Sequence, residues 1–107
     1  GCWGIGGSWI DVSENEAKEV LKEAIDKGVN FFDTADVYGD GRSEKFLGEL
    51  IKSTSEKIFV TTKSGIRISP FTPEGYNLKN FEKFIIDMFF KMIHFLALFW
   101  ISLHSLL

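Results

Sequence analysis

The sequence predicts an α/β fold on parallel strands, from three observations. Helix-type and strand-type segments alternate as helix–strand–helix–strand–helix–strand. One unit recurs about every 30 to 40 residues, the length a crossover between parallel strands needs. The segment "VNFFD" is apolar without alternation, as a parallel strand covered on both faces would be. Residues with acid–base capacity stand where those strands end, the edge of a parallel sheet at which active sites form.

The first helix is punctuated in "DVSENEAKEVLKEAIDKGVN". Ser13 can cap it, and Glu16, three residues on, completes a capping box. Ala17, Val20, Leu21, Ala24 and Ile25 share one face at helical spacing. Gly28 stands where a left-handed residue ends a helix, so the helix is expected over about residues 14–27. "VNFFD" follows as a strand, and residues 34–42 as a loop. Ser43 is the expected cap of a second helix with Phe46, Leu47, Leu50 and Ile51 on its inner face. "KIFVTTK" reads as a second buried strand ending at Lys63. After a loop holding Pro70 and Pro73, a third helix is expected from near Leu78, with Phe81, Ile85, Met88 and Met92 as one stripe. A third strand is expected within "LALFWISLH".

At 107 residues the chain suits one small domain. With 45% hydrophobic and 25% charged residues it has the composition of a folded protein. A net charge of −3 with the two signs interleaved argues against a nucleic-acid surface, which needs a basic stripe. The single Cys2 cannot form an internal disulfide, and a reducing, cytoplasmic setting is expected. No signal peptide is visible in the opening "GCWGIGG", which reads as though something upstream is missing. Residues 84–107 form an atypical apolar tail. Asp87 and Lys91 carry its only full charges, and none follows Met92. The uncharged stretch falls short of the ~20 residues a membrane span needs, and His94 and His104 interrupt it. It reads as a buried helix running into a buried strand, with a membrane-held tail as the alternative. No metal site is expected.

Asp33, Lys63 and His104 stand at the ends of the three expected strands, and Tyr38 in the loop after the first. In a parallel sheet these ends share one edge, so the four groups converge. A phenol, with a reference pKa of ~10, is a poor acid near neutrality. An ammonium ~4 Å away, at an effective dielectric of ~20, favours the phenolate by ~4 kcal/mol. Lys63 would thus make Tyr38 a usable general acid, and Asp33 would keep Lys63 charged. His104 would donate a hydrogen bond to a carbonyl oxygen. A polarised carbonyl beside a proton donor is ready for hydride. Protein side chains supply none, so a nicotinamide cofactor is implied.

"GCWGIGG", "GVNFFDTADVYGDGRSEKFLGE", "VTTKSG" and the terminal "LHS" resemble the aldo-keto reductases. The resemblance runs in order from Gly1 to about Lys63 and departs from the family pattern after Phe84, where Phe, Met, Ile and Leu replace a more polar pattern. It implies a (β/α)8 TIM barrel, of which residues 1–107 would be an incomplete N-terminal part of three to four β/α units. It implies reduction of aldehydes or ketones with NADP(H). It implies Tyr38 as proton donor, Asp33 and Lys63 as its tuning pair, and His104 as the group orienting a small carbonyl substrate. It also implies that Gly1, Cys2, Trp3 and Asp33 lie beside the nicotinamide.

Each residue has an ordinary alternative. Asp33 can cap a turn, Tyr38 can be an amphipathic surface residue, and Lys63 at a strand end can be simply solvated. His94, Asp36, Asp40 and Arg42 read as incidental or as loop surface. "GCWGIGG" lacks the context of a dinucleotide fingerprint and reads as a tight loop. The whole chain also admits a non-catalytic product or a binding module on the same fold.

Overall fold

The computed structural model of the protein describes residues 1–7, 10–68 and 71–92. A 310 turn at Gly4–Gly6 precedes helix α1 (Glu14–Asp26), strand β1 (Phe31–Asp33), helix α2 (Arg42–Ser53) and strand β2 (Phe59–Thr61). A second 310 turn at Pro73–Gly75 leads into helix α3 (Leu78–Met92). The strands pair in parallel, Phe31 opposite Phe59, Phe32 opposite Val60 and Asp33 opposite Thr61. Helix α2 is the crossover that parallel pairing requires.

Helix α1 starts and stops where its sequence says it should. The Ser13 hydroxyl accepts from the Glu16 amide at 3.2 Å, and the Ser13 amide donates to Glu16 Oε2 at 2.9 Å. These satisfy donors that a helix start otherwise leaves open. At the other end Gly28 holds φ +85°. Its amide donates to the Ile25 carbonyl at 2.8 Å and the Val29 amide to the Ala24 carbonyl at 2.9 Å. This double closure needs a left-handed residue, which glycine supplies without steric cost.

The core lies between the helices and one face of the sheet. Ala17 and Leu21 from α1, Phe46, Leu47 and Leu50 from α2, and Phe32 from β1 close on one another, with Cys2 at the edge and Val60 packed against the group. Burying a side chain such as Phe46 or Leu47 contributes ~1.5–3 kcal/mol. On the surface Lys18 joins Glu14 at 2.6 Å and reaches Glu49 of α2 at 2.8 Å. Pairs as exposed as these add at most ~1 kcal/mol. Helix α3 crosses α2 at Gly48. A β-carbon there would lie 2.6 Å from the Lys91 carbonyl oxygen and 2.8 Å from Met92 Cα.

Four local expectations are corrected. The cap of α2 is Gly41, not Ser43; Ser43 lies inside the helix, its hydroxyl engaged in a buried tertiary bridge. Val20 is exposed, so the apolar face of α1 is narrower than its spacing suggested. Ile85 is also exposed, leaving only Met92 of the α3 stripe fully buried. The strands are covered on one face rather than two. Phe31 is 61% and Phe59 48% exposed, side by side on the face away from the helices. The third strand expected in "LALFWISLH" lies outside the described residues, as does most of the apolar tail. Among the described residues no helix is long and apolar enough to cross a membrane.

Glu44 of α2 is fully buried. Its Oε1 accepts from the Thr62 hydroxyl at 2.7 Å, while Oε2 has no hydrogen-bond donor and faces Lys91 Nζ at 3.9 Å. Burial pushes its carboxyl above the ordinary value, against the opposing pull of Thr62 and Lys91. An acid raised in this way adds stability that is full below the unfolded value of ~4.3 and is lost as pH rises through the folded value. Glu44→Gln keeps an acceptor for Thr62 and cannot ionise. Its unfolding free energy in urea should therefore gain on that of the unmodified protein between pH 4 and pH 7. A variant that instead loses ground as pH rises would mean that attraction to Lys91 outweighs burial.

Candidate active site

The parallel register builds the site. Beyond β2 the ladder continues irregularly: the Thr34 amide donates to the Thr61 carbonyl at 2.8 Å, and the Asp36 amide to the Lys63 carbonyl at 3.0 Å. The two segments leaving the sheet are zipped together past its edge. Side chains alternate along a strand, so Asp33, Thr61 and Lys63 fall on the same side as Phe31 and Phe59.

Lys63 reaches across the rim to Asp33. Its Nζ donates to Oδ1 at 2.8 Å and to Oδ2 at 2.7 Å. The same Nζ lies 5.3 Å from the centre of the Tyr38 ring. The Asp33 carboxylate foremost, with Tyr38 adding, holds the Lys63 ammonium above the ordinary lysine value. Paired with Asp33 and half exposed to water, the cation persists through neutral pH. Asp33, Tyr38 and Lys63 thus meet, as their placement at parallel strand ends predicted. His104, the fourth expected member, lies outside the described residues.

The opening segment runs alongside. The Cys2 amide donates to the Asp33 carbonyl at 2.7 Å, continuing the hydrogen bonding on the free side of β1. The Trp3 ring stacks on Tyr38, 6.3 Å between centres and 29° between planes. Gly1 is exposed, with no atom within 4 Å of where a β-carbon would stand. Cys2 is buried, and that burial pushes its thiol up. Its backbone, rather than its sulfur, is the part tied to the rim.

Tyr38 is carried on a tight loop pressed against that segment. At Gly39, with φ +58°, a β-carbon would fall within 2.7 Å of three Gly6 backbone atoms. Only two glycines let the backbones come this close. Behind the loop, Ser43 Oγ donates to the Cys2 carbonyl at 3.0 Å and accepts from Thr34 Oγ1 at 2.8 Å. Thr34 and Ser43 are both fully buried. One hydroxyl therefore joins the opening segment, the end of β1 and the start of α2.

Two residues read as loop surface in the sequence prove structural. Asp36 is only 5% exposed. Arg42 donates to the Val12 carbonyl at 2.9 Å and lies over the Phe46 ring at 5.2 Å. Asp40 is exposed, as expected, and pairs with Arg67. The partners of these side chains are distant in the chain, so no local pattern announces them. A cavity of about 470 Å3 between α1 and α2, walled by Leu21, Ile25, Phe46 and Leu50, shares no residue with the Asp33–Tyr38–Lys63 group. Asp33, Tyr38 and Lys63 stand at the open rim and not in that cavity. Among the described residues no cluster could hold a metal ion.

The aldo/keto reductase family matches residues 1–90. A probable aldo-keto reductase 1 from Glycine max is 44% identical over 68 residues, 62% of this chain and 20% of that protein. The aldo-keto reductase yakc [NADP(+)] of Schizosaccharomyces pombe (strain 972 / ATCC 24843) is 37% identical over 76 residues, 69% of this chain and 22% of that protein. A probable voltage-gated potassium channel subunit beta from Arabidopsis thaliana is 41% identical over 66 residues, 59% of this chain and 20% of that protein. The chain thus matches only about a fifth of the length of these curated relatives. No solved structure matches it.

Removing the Ser43 hydroxyl leaves the Cys2 carbonyl and the Thr34 hydroxyl buried without that partner. Ser43→Ala should lower the unfolding free energy by ~1–3 kcal/mol in urea titration. A loss below a few tenths would mean the bridge is not holding the segments together.

Proposed function

As the chain belongs to the aldo/keto reductase family, we propose that it supplies the proton-donor corner of an NADP(H)-dependent carbonyl reductase built as a (β/α)8 barrel. The contact of Lys63 with both Asp33 and Tyr38 carries this reading. The carbonyl oxygen of an aldehyde or ketone accepts a hydrogen bond from the Tyr38 phenol. When the carbon is reduced, charge builds on that oxygen and the phenol proton moves to it. The negative charge then rests on Tyr38, where the adjacent Lys63 ammonium stabilises it. Asp33 keeps that ammonium protonated and aimed. The half-exposed rim lets solvent restore the phenol proton. His104 is assigned to orient the carbonyl.

The residues present fit one end of the cofactor. Trp3 stacked on Tyr38 offers a flat aromatic edge, and the space at Gly1 and Gly4 is open. Gly1, Cys2, Trp3 and Asp33 would line the nicotinamide, which supplies the hydride when bound. The NADP(+) in the name of the Schizosaccharomyces pombe relative supports the phosphorylated form.

A second reading is a binding module on the same fold, which the likeness to a potassium channel subunit beta favours. Turnover separates the two. In a chimaera, residues 1–68 would replace the matching segment of a full-length relative. It should oxidise NADPH when given an aldehyde. Tyr38→Phe should lower kcat by ~10²–10⁴-fold while leaving NADPH binding intact in a fluorescence titration. A chimaera that binds NADPH but turns over as fast without the phenol would overturn Tyr38 as donor. One that binds and never turns over would favour the module.

A further inference from the structure

We infer that Arg67 is a positioning residue that sets the place of Tyr38 over Lys63, an assignment that rests on Tyr38 being the proton donor. Arg67 follows Lys63 by four residues on the segment leaving β2. Its guanidinium straddles the loop that carries Tyr38. Nη2 donates to the Asp36 carbonyl at 2.6 Å, and Nη1 pairs with Asp40 Oδ1 at 2.6 Å. Asp36 and Asp40 stand two residues to either side of Tyr38, so one planar group grips the loop before and after the phenol. The third nitrogen, Nε, faces Asp36 Oδ2 at 3.7 Å. That oxygen is buried and has no hydrogen-bond donor, so a nearby cation offsets the cost of its charge.

The loop needs such a grip. Asp40 holds φ +55°, a left-handed conformation that residues with a β-carbon rarely adopt. Its side chain is 87% exposed, and its amide bonds within the loop, to the Val37 carbonyl at 3.3 Å. A fork of rigid donors fixes direction as well as distance, which a lysine ammonium on a flexible stem does not. Lys63 and Arg67 belong to one segment, so the grip fixes the phenol relative to the ammonium.

Amide hydrogen exchange followed by NMR on the full 107-residue chain tests this. The Tyr38 and Asp40 amides, bonded to the Ala35 and Val37 carbonyls, report on the loop. The Leu47 and Leu50 amides report on the core. Arg67→Met should speed exchange at Tyr38 and Asp40 by about tenfold or more, with Leu47 and Leu50 unchanged. Arg67→Lys should restore less than half of the lost protection. Asp40→Asn, at an exposed position, should speed the same two amides by about threefold. Exchange at Tyr38 within about twofold of the unmodified chain in Arg67→Met would overturn the assignment, as would equal acceleration at Leu47. If Arg67→Met does not fold, Asp40→Asn decides, and unchanged exchange there overturns it. The measurement involves neither cofactor nor turnover, so this assignment and the role of Tyr38 as donor can fail separately.

Discussion

Parallel pairing with Asp33 opposite Thr61 places Lys63 one pleat further along, on the same face as Asp33. Everything at the rim depends on that register. Shifted by one residue, Lys63 would point among the helices, where an ammonium without a partner is costly. In register, the ammonium meets both carboxylate oxygens and remains close to the Tyr38 ring. The carboxylate holds a cation at an accessible edge. It contributes little to stability, because both groups are half exposed and water screens them.

Stability resides on the opposite face of the same two strands. Phe32 and Val60 turn toward α1 and α2, while Phe31 and Phe59 stay open. The strand pair therefore has a core side that holds it together and an outer side that bears Asp33 and Lys63. The Ser43 hydroxyl connects the two. From within α2 it ties the end of β1 to the segment carrying Trp3, whose ring stacks on Tyr38. The Gly39–Gly6 contact brings the loop and the opening segment together from above. Packing in the helices thus reaches Tyr38 through the buried Ser43 bridge and the partly exposed Trp3 ring.

Helix α1 was legible almost to the residue, because a capping box and a terminal glycine each act on residues within a few positions of themselves. The meeting of Asp33, Tyr38 and Lys63 was legible too, since strand ends of a parallel sheet share an edge whatever the details of the crossover. Ser43 was misread for an instructive reason. A serine at a helix start usually caps it, but this hydroxyl is claimed by Thr34 and Cys2, nine and 41 positions away. Asp36 and Arg42 escaped in the same way. Their charge suggested water, and only the folded chain supplies the Arg67 guanidinium beside Asp36 and the Val12 carbonyl that accepts from Arg42.

By itself the sequence determined the order of elements from α1 to α3, the boundaries of the first helix and the meeting of Asp33, Tyr38 and Lys63 at the sheet edge. These follow from local hydrogen bonding, from apolar periodicity and from the fixed alternation of side chains. The tertiary structure decided which strand face is covered, which polar side chains are buried, and how the Tyr38 loop is held against Lys63. Those outcomes depend on contacts between residues far apart in the chain. Their strength comes from burial and geometry, which no stretch of neighbouring residues encodes.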